Sequence, residues 1–142
     1  MPHFTYGIEV WFGAPETVSE RITIIQKKMV RALNSLPYNS HTDPYFKEMN
    51  LLKVKDLYNL QIGLNIYTAV SRGELTFTSE IHEYNTRNRN NLRTPGVNLA
   101  RSQMNWKYKG IQLWNSLPCF IKQSMSKDQC KKKLSNYLIS FY

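Results

Sequence analysis

The sequence predicts a mainly α-helical, compact domain with room for one small β-hairpin near residues 92–109. Three observations carry that expectation. Apolar residues recur at three- and four-residue spacings over 18–36, 57–70 and 130–141, the period of one helix face. Two of these runs open on a hydroxyl residue with Glu or Gln three positions later, and Pro or Gly closes two of them. A two-residue alternation shows between Gln103 and Lys109, where Lys107 and Lys109 flank Tyr108, as in an exposed hairpin strand. At 142 residues, 42% apolar and 13% aromatic, the chain suits one domain that buries roughly two thirds of its unfolded surface, and disorder is not expected.

Taken in order, residues 4–13 are dense in aromatics with little polar cover and read as the interior of something larger. Pro15 breaks the chain. Thr17 with Glu20 is a capping-box pattern, and Val18, Ile22, Ile25, Met29, Leu33 and Leu36 line one face of the helix that should follow. Lys27 and Arg31 lie i,i+4 on the opposite face, where like charges cost about 0.2–0.5 kcal/mol unless an anion sits between them. They are read either as a phosphate-tracking face or as solvated cations. Pro37 ends the helix. Asp43 suits a cap and Pro44 the first helical position; His41 before them has no catalytic partner pattern and reads as a turn histidine.

Asp56 opens a second long helix over 57–70, with Gly73 as its C-cap. Leu57, Leu60, Leu64 and Tyr67 line one side and Tyr58, Ile62, Ile66 and Ala69 the other, so this helix should be the buried core element. Residues 75–83 read as a linker with strand-like Leu75, Phe77 and Ile81. Gly110 should start a short helix carrying Leu113 and Trp114, stopped by Pro118. Ser126 with Gln129 caps a last helix, whose stripe of Cys130, Leu134, Tyr137, Leu138 and Phe141 should pack on 57–70 and leave Lys131, Lys132 and Lys133 in solvent or on phosphate.

Charge is the least evenly spread property. Residues 1–83 hold eight Lys/Arg and nine Asp/Glu, a formal −1; residues 84–142 hold eleven Lys/Arg against Asp128 alone, a formal +10, within a total of +9. Such segregation is the footprint of a polyanion partner, nucleic acid before an acidic membrane surface. Its plain alternative is a basic face that aids solubility. The centre of the imbalance is 84–118, where Asn85, Asn88, Asn90 and Asn91 favour irregular backbone and present Arg87, Arg89 and Arg93 from a loop. The planar guanidinium fork suits phosphate. Tyr84, Trp106 and Tyr108 are candidate stacking faces for unpaired bases, whereas Trp114 is expected in the core. The candidate nucleic-acid-binding set is therefore Arg87, Arg89, Arg93, Arg101, Lys107 and Lys109, supported by Lys27, Arg31, Lys131, Lys132 and Lys133.

Several classes are excluded. Cys119 and Cys130, eleven positions apart with no histidine nearby, form neither a disulfide scaffold nor a zinc pattern, which suits a reduced nuclear or cytoplasmic protein. Residues 1–14 carry no secretory pattern, and 57–71 is too short and amide-rich to span a bilayer. No glycine-rich phosphate loop, nucleophile elbow or metal-spaced histidine pair occurs. Two-metal nucleotidyl transfer needs clustered carboxylates, and the basic half offers only Asp128. Neither a catalytic residue, a metal ligand nor a cofactor site is assigned.

Eight blocks stand in a telling order: Tyr6-Gly7-Ile8-Glu9-Val10-Trp11; Gln26-Lys27-Lys28 with Arg31; His41-Thr42-Asp43-Pro44; Asp56-Leu57-Tyr58; Ile81-His82-Glu83-Tyr84-Asn85-Thr86-Arg87; Asn91-Leu92-Arg93-Thr94-Pro95; Gly110 with Leu113-Trp114-Asn115-Ser116-Leu117-Pro118; and Lys131-Lys132-Lys133-Leu134. Together they resemble the C-terminal part of jockey-like non-LTR retrotransposon (LINE-type) reverse transcriptases. The resemblance implies a thumb and post-polymerase region over 16–142, a remnant of the palm junction over 1–15, and a truncated or decayed reading frame at Met1. That family synthesises DNA on an RNA template. Its aromatic-Ala-Asp-Asp palm motif has no counterpart here, so polymerase activity is not carried over to any residue.

The expectation is a non-catalytic fragment that grips template or primer RNA or DNA, with the rest of a reverse transcriptase as its other partner and no membrane partner. The competing expectation is a domesticated or decayed protein-interaction module with no nucleic-acid role. A third, an acidic membrane surface against the last helix, follows from its basic amphipathic pattern.

Overall fold

The computed structural model describes residues 7–8, 16–81, 89–99, 103 and 105–142, the side chains of Glu16 and Thr17 excepted. The chain is mainly helical. Helices α1 (Glu16–Leu33), α2 (Asp43–Glu48), α3 (Val54–Ser71), α4 (Trp106–Ser116), α5 (Cys119–Lys122) and α6 (Lys127–Ile139) follow in order, with a 3-10 turn at Thr78–Glu80 between α3 and α4. Among the described residues the sole strand-like pairing is an isolated antiparallel bridge between Phe77 and Leu92. No helix among them is long and apolar enough to cross a membrane. The chain divides into two compact units, 1–61 with 132–142 and 62–131, the boundaries falling inside α3 and α6.

In the first unit, α1 forms where the spacing predicts but turns the other way. Val18, Ile25, Met29 and Leu33, four of the expected core stripe, are 42%, 51%, 46% and 69% exposed, while Gln26 and Val30 are buried. The buried face is rotated by roughly a quarter turn from the apolar stripe at 100° per residue. Gln26 supplies a physical reason. Its Nε2 donates to the Leu52 carbonyl at 2.8 Å and its Oε1 accepts from the Val54 amide at 3.0 Å, satisfying two backbone groups at the entry to α3 that no aliphatic side chain could serve. The Thr17 half of the capping pattern lies outside the described side chains.

Helix α1 ends earlier than Pro37 requires. Ser35 takes the left-handed conformation at φ 51 and the Leu36 amide reaches back to the Arg31 carbonyl at 2.9 Å, a Schellman-type stop. Thr42, buried, takes the cap position of α2 in place of Asp43, so Pro44 falls second in the helix. Phe46 from α2 is buried with Val54, Tyr58 and Leu60 from α3 and Leu134, Leu138 and Ile139 from α6.

Tyr142 fastens the same unit. Its hydroxyl donates to Asp56 Oδ2 at 2.5 Å and accepts from the Lys53 amide at 2.8 Å; its ring meets Phe46 edge-on at 6.3 Å. The Lys53 ammonium lies 4.3 Å from the Tyr142 ring centroid and pairs with Asp43 at 2.9 Å. Burial, then the hydrogen bond to Asp56, hold the Tyr142 phenol above the usual tyrosine range.

In the second unit the distal half of α3 is buried nearly all round, with Ile62, Gly63, Leu64, Ile66 and Ala69 covered, as its double apolar pattern predicts. Gly73 closes α3 at φ +70. Among the described residues of 92–109 no hairpin is formed: Trp106–Lys109 is the first turn of α4, where Asn105 caps the helix by accepting from the Lys107 amide at 2.9 Å. The N-cap at Asn105 starts a helix across the second half of the strand expected over Gln103–Lys109. Gly110 therefore lies inside α4 and does not start it. A Cβ at Gly110 would stand 2.7 Å from Ile66 Cγ1, so the glycine lets α4 approach α3 closely. One turn on, buried Trp114 meets the Tyr67 ring at 6.2 Å. In α6 the stripe is buried at Cys130, Leu134 and Leu138, while Phe141 is 70% exposed. Ser126 Oγ accepts from the Gln129 amide, and Gln129 Oε1 reaches back to the Met125 amide at 2.8 Å, one residue before the position a capping box requires.

Candidate nucleic-acid interface

Of the expected loop cations, Arg89 and Arg93 lie on a segment fastened through its backbone. Thr78 donates from its amide and its hydroxyl to the Asn91 carbonyl at 2.9 and 3.0 Å, the Ser79 amide donates to the Arg89 carbonyl at 3.0 Å, and the Arg93 amide donates to the Thr76 carbonyl at 3.0 Å. The Asn115 side chain of α4 completes the attachment: Nδ2 donates to the Leu92 carbonyl at 2.9 Å and Oδ1 accepts from the Leu92 amide at 2.8 Å. One carboxamide thus satisfies both backbone groups of a buried residue, as a neighbouring strand would. Arg93, next in the chain, is exposed on a fixed backbone.

Arg93 and Lys107 converge in one open groove of about 400 Å3 whose lining includes Thr76, Pro95, Gly96 and Ile111. The space above Gly96 is open. Lys107 belongs to the first turn of α4, where the helix dipole adds partial positive charge. Neither cation has an ion-pair partner among the described residues. Glu74 is the single acidic residue among those that line the groove, and it pairs with Arg72 at 3.6 Å. Two cationic donors on a concave wall that holds one carboxylate can hold a phosphodiester.

A second cleft lies in the first unit. Lys27 and Arg31, the i,i+4 pair of α1, line an open pocket of about 410 Å3 with Ile24, Tyr38 and Asn39. Arg31 Nε donates to the Ser40 carbonyl at 3.1 Å, and its guanidinium stands 5.8 Å from the Tyr38 ring centroid.

The remaining candidates are distributed. Arg89 is exposed on the fastened loop but does not line the groove; Lys109 is partly buried in α4; Lys131 and Lys132 are exposed on α6 and Lys133 is partly buried there. Trp106 and Tyr108 are partly buried. Tyr84, Arg87 and Arg101 lie outside the described residues. Among the described residues no three His, Cys, Asp or Glu side chains cluster as metal ligands, Cys119 is exposed and Cys130 buried, and His41 is exposed.

Sequence reasoning missed Tyr38, Asn39 and the clamping role of Asn115. Only Asn115 left a signal, as one of two polar residues in the Leu113–Pro118 block. Comparison with protein-family models, curated proteins and solved structures returned no match for this chain.

Proposed function

We propose that this chain is a non-catalytic nucleic-acid-binding protein, related to the thumb and post-polymerase region of non-LTR retrotransposon reverse transcriptases. It grips single-stranded template or primer through phosphate contacts. The observation that carries the reading is the groove in which Arg93 and Lys107, fourteen positions apart, face one volume with no acidic neighbour among the described residues except the Arg72-paired Glu74. The segregation of +10 into residues 84–142 supports it, as does the order of the eight blocks. Binding led by phosphates is weakly sequence-dependent and falls steeply with salt.

Fluorescence anisotropy with labelled single-stranded RNA, single-stranded DNA and duplex, each at two salt concentrations, tests this. Saturable binding that weakens at the higher salt is expected. No change in anisotropy with any probe at low salt would overturn it.

One observation favours a second reading, a protein-interaction module with no nucleic-acid role. The apolar stripe of α1, Val18, Ile25, Met29 and Leu33, faces solvent, and exposed apolar patches of this kind mark protein contacts. Silence in the anisotropy titration would leave that reading standing.

A further inference from the structure

We infer that the cleft between α1 and the segment after it is a subsite for one unpaired nucleotide, with Tyr38 as the platform for its base and Lys27 and Arg31 as the seats of its phosphate. The inference rests on the nucleic-acid reading above and adds to it a second site, in the other unit, that distinguishes bases from bare backbone.

Four features carry it. Tyr38 is 76% exposed, unlike Trp106 and Tyr108, and a phenol ring left open beside a pocket of about 410 Å3 offers a planar face that any base can stack on. Burial would ordinarily claim such a ring. Next, Arg31 is pre-organised: its Nε is tied to the Ser40 carbonyl at 3.1 Å while the guanidinium stands over the Tyr38 ring at 5.8 Å. Its terminal nitrogens make no hydrogen bond or ion pair among the described residues, so the fork is held in place with charge to spare. Third, Lys27 lies one helical turn from Arg31 in the same wall. Two like charges at this spacing repel, and none of the described residues lining the cleft is acidic, so nothing there relieves them; a phosphate between them would. Last, Asn39 brings a carboxamide that makes no hydrogen bond among the described residues and can meet a base edge, while Ile24, 52% exposed, gives an apolar wall for a sugar or base.

An acidic peptide would use the two cations as well. It would leave the open ring, the idle carboxamide and the apolar wall without a role, whereas a nucleotide uses all of them. The cleft lies within the range of small-molecule sites, about 300–1,000 Å3.

The test compares a labelled single strand of twelve pyrimidine nucleotides, an abasic strand of the same length, and the matching duplex, with free nucleoside monophosphate as competitor. Wild type is expected to prefer the base-bearing strand over the abasic one. Tyr38→Ala should remove that preference, weakening the base-bearing strand by about five- to a hundredfold while its affinity for the abasic strand is unchanged. Tyr38→Phe should keep the preference, because stacking needs only the ring. Far-UV circular dichroism checks that the variants fold, as an exposed residue allows. Monophosphate that displaces the strand at the same concentration as a single nucleotide unit within it would reassign the cleft to a free nucleotide and overturn the strand assignment. Equal affinity of wild type for base-bearing and abasic strands, or equal loss on both in Tyr38→Ala, would overturn the subsite alone. A wild-type chain that binds no strand would overturn both this inference and the reading beneath it.

Discussion

Each cleft holds two cations, with Glu74 added in the second, and the two pairs are built by opposite means. In the first unit Lys27 and Arg31 stand on one helix face at i,i+4, beside an aromatic ring that is mostly open to solvent. In the second unit Arg93 and Lys107 come from separate segments and line one groove, the Arg93 segment fastened by Thr76, Thr78 and the Asn115 clamp on Leu92, and Lys107 set in α4 by the Asn105 cap. The first cleft has a surface for a base, and the second has donors for phosphate and no aromatic ring among the described residues of its lining. A cation pair on a regular helix needs little support, whereas one assembled from a loop depends on the residues that fix the loop.

The largest expected effect is on the packing of α4, the helix that carries Lys107. Trp114→Ala removes a buried ring from α4 and should cost about 3–5 kcal/mol, read as a lower denaturation midpoint; a change near zero would remove Trp114 from the core. A smaller and sharper effect is expected at the clamp. Asn115→Ala leaves the Leu92 amide and carbonyl without partners, at about 1–3 kcal/mol, and loosens the segment bearing Arg93, which keeps its bonds to Thr76 and Thr78. Strand affinity should fall while the Tyr38-dependent preference for bases persists. If both fell together, the clefts would not be separately supported.

The smallest effect concerns how the first unit is fastened. Tyr142→Phe removes the hydrogen bond to Asp56 and should cost about 1 kcal/mol at neutral pH. The folded chain keeps the Tyr142 proton that the unfolded chain releases near pH 10. This contribution is therefore full below that pH and fades as pH rises above about 10. Thermal unfolding of wild type and variant across pH 8–11 should show the two curves converging at the alkaline end. Parallel curves would remove Tyr142 from the fastening.

Legibility in the sequence follows the same division between local and assembled features. Helices α3 and α6 can be read because their apolar residues, the Gly73 cap and the Ser126–Gln129 pair act within a few residues of one another. The existence of α1 is readable and its orientation is not: periodicity reports the apolar side, and the buried side is set by Gln26 meeting Leu52 and Val54, 26 and 28 residues away. The alternation around Tyr108 suggests a strand because the cap at Asn105 competes through a single hydrogen bond that composition does not reveal. Arg93 and Lys107 are both legible as cations. Their convergence is not, since it depends on Thr76 and Thr78 and on Asn115 acting across 23 residues. Tyr38 leaves no signal because nothing in a Pro-Tyr-Asn sequence distinguishes an open ring beside two cations from ordinary loop.

The most direct test of the central claim is the slope of log K against log salt for a single-stranded probe, compared between wild type and the Arg93→Gln/Lys107→Gln pair. Removing two cations that each neutralise a phosphate should flatten the slope by about 1.4, with thermal stability unchanged. An identical slope in the two proteins would contradict the assignment of the groove.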